Sequence, residues 1–67
     1  MLEKIPVALS DVVPGLRYRF EGDLQNGNFV THEEVTRKIA FITKKHIVLE
    51  CGRKFIINNN LKIYHPL

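Results

Sequence analysis

The residues Leu16-Arg17-Tyr18-Arg19-Phe20-Glu21 alternate strictly between apolar and charged side chains, and this period of two constrains the fold more than any other feature. Successive side chains on a strand point to opposite faces, so Leu16, Tyr18 and Phe20 share one face and Arg17, Arg19 and Glu21 the other. β-branched and aromatic residues dominate three later stretches, 35–42, 46–50 and 54–58, and residues 61–65 alternate again before Pro66. Each reads as a strand. Residues 10–15 leave room for one short helical turn, capped by Ser10 or Asp11 and stopped by Pro14-Gly15.

The connections are legible from turn chemistry. Residues 22–28 are rich in turn formers, and Asn26-Gly27 is the strongest reversal signal, with Phe29-Val30-Thr31 as a short return strand. Thr31 and Glu34 fit a capping box, so a helical turn could begin there, although the β-branched residues beyond argue against its extension. Asn58-Asn59-Asn60 predicts a one-turn 3₁₀ segment or a tight corner. Three-residue turns at 43–45 and 51–53 would set Phe41 against Ile47, Ile39 against Leu49, Leu49 against Phe55 and Ile47 against Ile57. That register makes one continuous apolar face, with Phe41 and Phe55 in the core, and places Glu50 opposite Lys54 as a cross-strand ion pair. The other face carries Ala40, Ile42, Val48 and Ile56 in its middle and charges at its ends.

A chain of 67 residues with one cysteine is a single domain without an internal disulfide. It buries only roughly 60% of the surface it exposes when unfolded, so stability must come from dense packing or association. The expected domain is 1–67, all-β, with 1–9 as a flexible N-terminal segment. The layout of five strands, with an irregular first loop, a tight three-strand meander and a one-turn corner before the last strand, resembles the SH3-like and Sm-like small β-barrels across residues 10–65. The binding motifs of neither family are matched. An OB-like barrel is the alternative, although it usually places a helix between its third and fourth strands. Closure into a barrel removes exposed sheet edges; a homodimer is the other way to bury the second face.

Charge is divided unevenly along the chain. Residues 1–36 hold three basic side chains against six acidic ones, whereas residues 37–67 hold seven against one, for a net charge of +3. The second half carries three doublets, Arg37-Lys38, Lys44-Lys45 and Arg53-Lys54, a pattern that attracts phosphates or an acidic protein surface or else keeps β-turns soluble. A DNA or RNA strand would be met by these doublets together with Lys62, Tyr64 as a stacking platform, and Arg17 and Arg19. The two arginines lie about 7 Å apart on one strand face, near the spacing of successive phosphates. The expected function is therefore a small non-enzymatic binding protein, nucleic acid first. The alternative is a protein-interaction or regulatory module, an inhibitor or assembly subunit, docking Ala40, Ile42, Val48 and Ile56 on a protein partner or on a second copy.

Other chemistry lacks its residues. His32, His46, Cys51 and His65 have no zinc-ligand spacing. His46 and Cys51 would stand about 17 Å apart along one strand, which excludes a direct nucleophile–base pair. Adjacent Glu33 and Glu34 point to opposite faces of a strand, so they form no acid/base dyad. No phosphate-binding glycine loop, nucleophile elbow or dinucleotide fingerprint is present. No metal, cofactor or enzymatic activity is expected. No apolar run approaches the ~20 residues of a membrane span, no secretory signal is visible, and a cytoplasmic setting is expected. The start methionine and the absence of a linker read as a complete small gene product of the phage, plasmid or bacterial accessory kind.

Overall fold

In the computed structural model, which describes residues 4–66, a single 3₁₀ turn, Leu9–Asp11, precedes five strands. These are β1 (Arg17–Asn26), β2 (Phe29–Ile42), β3 (His46–Leu49), β4 (Lys54–Ile56) and β5 (Lys62–Tyr64), antiparallel throughout and joined in one sheet. β1 is the organising strand. One of its sides pairs with β2 from Arg17↔Lys38 to Asn26↔Phe29. The other side takes β5 at Arg19, Phe20 and Glu21 and β4 at Leu24 and Gln25. The end of β2 pairs with β3, and β3 pairs with β4, so the ladders run from β1 through β2, β3 and β4 back to β1.

The alternation in β1 carries further than its first six residues. Tyr18, Phe20, Gly22 and Leu24 all face inward and are buried. Glycine at 22 is therefore a strand residue and not the start of a turn, and it marks a close backbone approach. A Cβ there would lie 3.1 Å from Leu61 Cα and 3.4 Å from the Asn60 carbonyl oxygen. The reversal falls at Gly27-Asn28, one residue later than expected. Gly27 has φ 62° and Asn28 lacks a positive φ, the combination of a type II′ hairpin turn.

The core comprises Val12, Tyr18, Phe20, Leu24, Ile39, Ile47, Leu49, Phe55 and Ile63. Phe20 stacks on Phe55 with ring centroids 5.6 Å apart, and Tyr18 meets Phe20 edge-on at 6.2 Å. Full burial of such a side chain contributes about 1.5–3 kcal/mol. The Tyr18 hydroxyl accepts a hydrogen bond from the Val13 amide at 3.1 Å, which satisfies its polar end and ties the loop before β1 to the core.

Several local expectations are corrected by long-range pairing. The return strand does not stop at Thr31. Residues 31–35 are strand and the capping box is unused: Thr31 bonds Glu33 and Glu34 bonds Arg19, because continuous pairing with β1 outweighs a one-turn helical preference. Ile39 faces Leu49 as expected, but an irregularity between Ile39 and Phe41 sets Phe41 against Val48 and Ile42 against Ile47. One inserted residue flips the strand, and Phe41 leaves the core to stand 53% exposed.

The β3–β4 turn closes over residues 50–52, with the Leu49 amide donating to the Arg53 carbonyl. Ile47 therefore faces Phe55, and Val48 faces Lys54. This slip of two residues keeps every side chain on its expected face, but it removes the pairing of Glu50 with Lys54; the Glu50 amide instead donates to the Lys38 carbonyl. The 3₁₀ turn has Ala8 as its N-cap, without a side-chain cap. The three asparagines form a tight corner, closed by Leu61 N–H to the Asn58 carbonyl at 3.1 Å. Residues 5–7 run beside β5, with Val7 donating to Ile63 and His65 donating to Ile5; residues 1–3 of the expected N-terminal segment lie outside the described residues. No helix among the described residues is long and apolar enough to cross a membrane.

Candidate nucleic-acid interface

Between Arg19 and Asp23 the outward face of β1 is laced by its own ion pairs and hydrogen bonds. Arg19 donates to Glu34 at 2.8 Å and 2.9 Å, Lys4 lies 3.4 Å from Glu34 and 3.7 Å from Glu21, and His32 lies 3.4 Å from Glu21 and 3.6 Å from Asp23. Asp23 also accepts the side-chain amides of Asn60 and Asn58, each at 3.0 Å. The Asn60 and Asn58 donors, with smaller help from His32, hold the Asp23 carboxyl below its ordinary range. The Arg19 guanidinium does the same for Glu34 and is itself raised by it. Each shift reflects a hydrogen bond that exists only to the ionised carboxylate.

The remaining candidate cations are left without such partners. Among the described residues no carboxylate comes within 4.0 Å of Arg17, Arg37, Lys38, Lys44, Lys45, Arg53, Lys54 or Lys62. Arg17 stands directly opposite Lys38 across the β1–β2 ladder, a like-charge pair that destabilises a sheet. With Thr36, Arg37 and Glu50 they line an open depression of about 340 Å³. The strip continues past the Glu50–Lys38 backbone contact to Cys51, whose sulfur accepts from Arg53 at 3.4 Å, and Arg53 leads into Lys54, opposite Gln25 on β1.

Not every candidate joins this strip. Lys44 and Lys45 occupy the β2–β3 turn at the far end of β3, roughly 13 Å away, where the Thr43 hydroxyl accepts from the Lys45 and His46 amides. Lys62 faces Glu21 in register, and Tyr64 faces Arg19. Tyr64 is half-buried and carries the Lys4 ammonium 5.2 Å from its ring centroid, so one face of its ring is already occupied by a cation. Arg19 belongs to the neutralised face.

The apolar candidates divide as well. Val48 is 8% exposed yet lies outside the core cluster, facing Phe41 and Lys54 from the outer surface of the sheet. Ile56 is half-buried and Ala40 exposed, whereas Ile42 does not share this face as expected, because the bulge sets it against the buried Ile47. Phe41, which the bulge brings to this surface, is its largest apolar group.

Two features escaped the sequence. Cys51 is exposed; partial burial pushes its thiol up, but the Arg53 amide and guanidinium and the charge of Arg37 bring it below its ordinary value. The adjoining Cys51-Gly52-Arg53 signal marked only a turn. His46 Nε2 lies 2.7 Å from Gln25 Oε1, and both border a depression of about 370 Å³ with Asn26, Gly27, Gly52 and Lys54. Residues 21 positions apart carry no local signal for such a contact. Among the described residues no group of three or more His, Cys, Asp or Glu is arranged to hold a metal ion. Comparison with protein-family models, curated proteins and solved structures gives no match.

Proposed function

We propose that the protein is a small non-enzymatic nucleic-acid-binding barrel of the SH3-like or Sm-like layout, contacting DNA or RNA phosphates through Arg17, Lys38, Arg37, Arg53 and Lys54. The return of the strand ladders to β1 supports a barrel. The short β3–β4 turn, where an OB-like barrel usually carries a helix, favours this layout over the OB-like one. The observation that carries the function is the segregation of charge. Glu21, Asp23 and Glu34 are held by Lys4, Arg19, His32 and the asparagine corner, so they do not screen the strip. Phosphates placed over Arg17 and Lys38 would relieve the repulsion between them, and displaced counterions would drive association.

Fluorescence anisotropy of labelled random single-stranded and duplex oligonucleotides tests this reading at low and at physiological salt. Micromolar binding that weakens steeply as salt rises, yet survives at ~150 mM, is the expected result. Absence of binding at both salts would sink the proposal. A second reading, a protein-interaction module, is favoured by one specific observation: Phe41 stands exposed beside Val48 and Ile56 on the outer face. It predicts a partner contact with little salt dependence.

A further inference from the structure

The first two thirds of β2 form an open sheet edge. Antiparallel pairing through a two-residue loop directs the backbone N–H and C=O groups of residues 29, 31, 33, 35 and 37 toward β1 and those of the even-numbered residues away from it. Two bonds fix this parity: Ile39 N–H donates to Leu16 on the β1 side, and the Lys38 carbonyl accepts from Glu50 on the other. The Thr36 carbonyl is taken by the Arg37 side chain at 2.7 Å. For Val30, His32 and Glu34, no backbone partner exists on the outer side among the described residues. Phe29 and Val30 beside this edge are 74% and 57% exposed.

The strand itself specifies what fits there. We infer that β2 pairs antiparallel with β2 of a second copy, about a two-fold axis through His32. In this register Val30 faces Glu34 of the second copy and His32 faces its counterpart, with their outward N–H and C=O groups bonding across the axis. On the opposite face Phe29 covers Val35 of the second copy, an aromatic and β-branched pair of the kind that stabilises sheets, and Thr31 meets Glu33. The even parity allows the axis to pass through any residue of the edge but not between two residues. Centring on Glu33 or on Glu34 sets like carboxylates against each other, and centring on Thr31 sets Phe29 against Glu33. Among the registers centred on Thr31 to Glu34, only the His32 register pairs the exposed aromatic with an apolar partner and sets no carboxylate directly opposite another. This edge adjoins the cationic strip only where Glu33 borders a depression with Cys51 and Arg53, and the inference does not rest on nucleic-acid binding.

Sedimentation equilibrium on the full chain, from micromolar to millimolar protein, should show the mass rising from 7.8 kDa toward twice that value; a monomer throughout overturns the inference. Val30→Pro removes an outward donor and no β1–β2 bond, and should weaken association at least about tenfold. Phe41→Glu, on the other apolar surface, should leave association unchanged, and the reverse pattern would place the dimer on that surface instead. Circular dichroism checks that both variants fold. A cross-linking pair decides the register even where Val30→Pro does not fold. In a Cys51→Ser background, His32→Cys brings two thiols together on the axis, at the ~5.5 Å Cα separation of a bonded pair that a disulfide spans. Val30→Cys leaves them offset by roughly 13 Å along the strands. Oxidation should cross-link His32→Cys at least about tenfold faster, and equal rates, or a faster Val30→Cys, would overturn this register.

Discussion

The outer face of β1 between Arg19 and Asp23 and the strip from Arg17 to Lys54 are built from the same residue types, on the same small sheet, with opposite outcomes. On the β1 face Arg19, Lys4 and His32 each meet a carboxylate, and the asparagine corner adds two more donors to Asp23. Along the strip Arg17 meets Lys38, Arg37 and Arg53 donate to a backbone carbonyl and a thiol, and Glu33 and Glu50 border the cations without an ion pair. A cation satisfied by a fixed carboxylate is part of the fold; one held beside another cation is available to an external anion. Counting charges along the chain cannot separate the two, because Glu21, Asp23 and Glu34 are engaged across the sheet by Lys4, Arg19 and His32, at contacts that no tally of residues shows.

The largest expected effect strikes the support common to both regions. Phe55 is fully buried and stacks on Phe20 of β1, so Phe55→Ala should lower stability by about 3–5 kcal/mol. For a domain this small that approaches the whole folding free energy, and urea denaturation measures it. Retention of a cooperative transition near the parent midpoint would show that β4, and the strip it carries, is not anchored through this stack.

Next in size is the removal of the strip's charge. Arg37→Gln, Lys38→Gln and Arg53→Gln together should weaken oligonucleotide binding at physiological salt by about 100-fold and reduce the salt slope by about three, while Arg19→Gln should leave that slope unchanged. An equal loss for Arg19→Gln would erase the distinction between paired and unpaired cations.

Gly22→Val probes the neutralised face from beneath. Its new side chain meets Leu61 backbone and the Asn60 carbonyl, should push the asparagine corner off Asp23, and should cost about 1–3 kcal/mol. Thermal unfolding reads the loss, and unchanged stability would mean that the corner does not need this close approach.

The smallest effect is electrostatic. Asp23 and Glu34 titrate below their ordinary values of 3.8 and 4.5 in the folded protein. Their contribution is complete above those values and is lost as pH falls through the lowered folded ones. Unfolding midpoints should therefore stay level with respect to these two groups from neutrality down to about pH 5 and decline below about pH 4. Arg19→Met should flatten the decline while shifting the neutral-pH melting temperature by no more than about 4 °C. A steeper acid loss in the variant would reverse the assignment.

Much of the sheet was legible because burial imposes a period of two that survives local error. The β3–β4 turn was misplaced by one residue, which slips the pairing register by two, yet Ile47, Leu49 and Phe55 remained inside, since an even slip preserves faces. Where the error was odd, the outcome changed: the bulge near Ala40 ejected Phe41, and nothing in Lys38-Ile39-Ala40-Phe41-Ile42 announces an inserted residue. Gly22 misled for another reason, because a glycine in a strand and a glycine in a turn look alike until the segment approaching it is known. The candidate cations were legible as residues and their partners were not. Arg19 and Arg17 are two positions apart and chemically identical, but only Arg19 has Glu34 within reach.

By itself the sequence determined that this chain forms short antiparallel strands around Tyr18, Phe20, Ile39, Ile47, Leu49 and Phe55, and that its second half is basic. Alternation and composition are local properties, and hydrophobic burial acts on them whatever the topology. Tertiary structure alone decided which cations are neutralised, which face Phe41 joins and which edge of β2 stays open. Each of these depends on residues ten to forty positions apart meeting within a few ångströms, a distance set by strand register and turn closure rather than by any local preference.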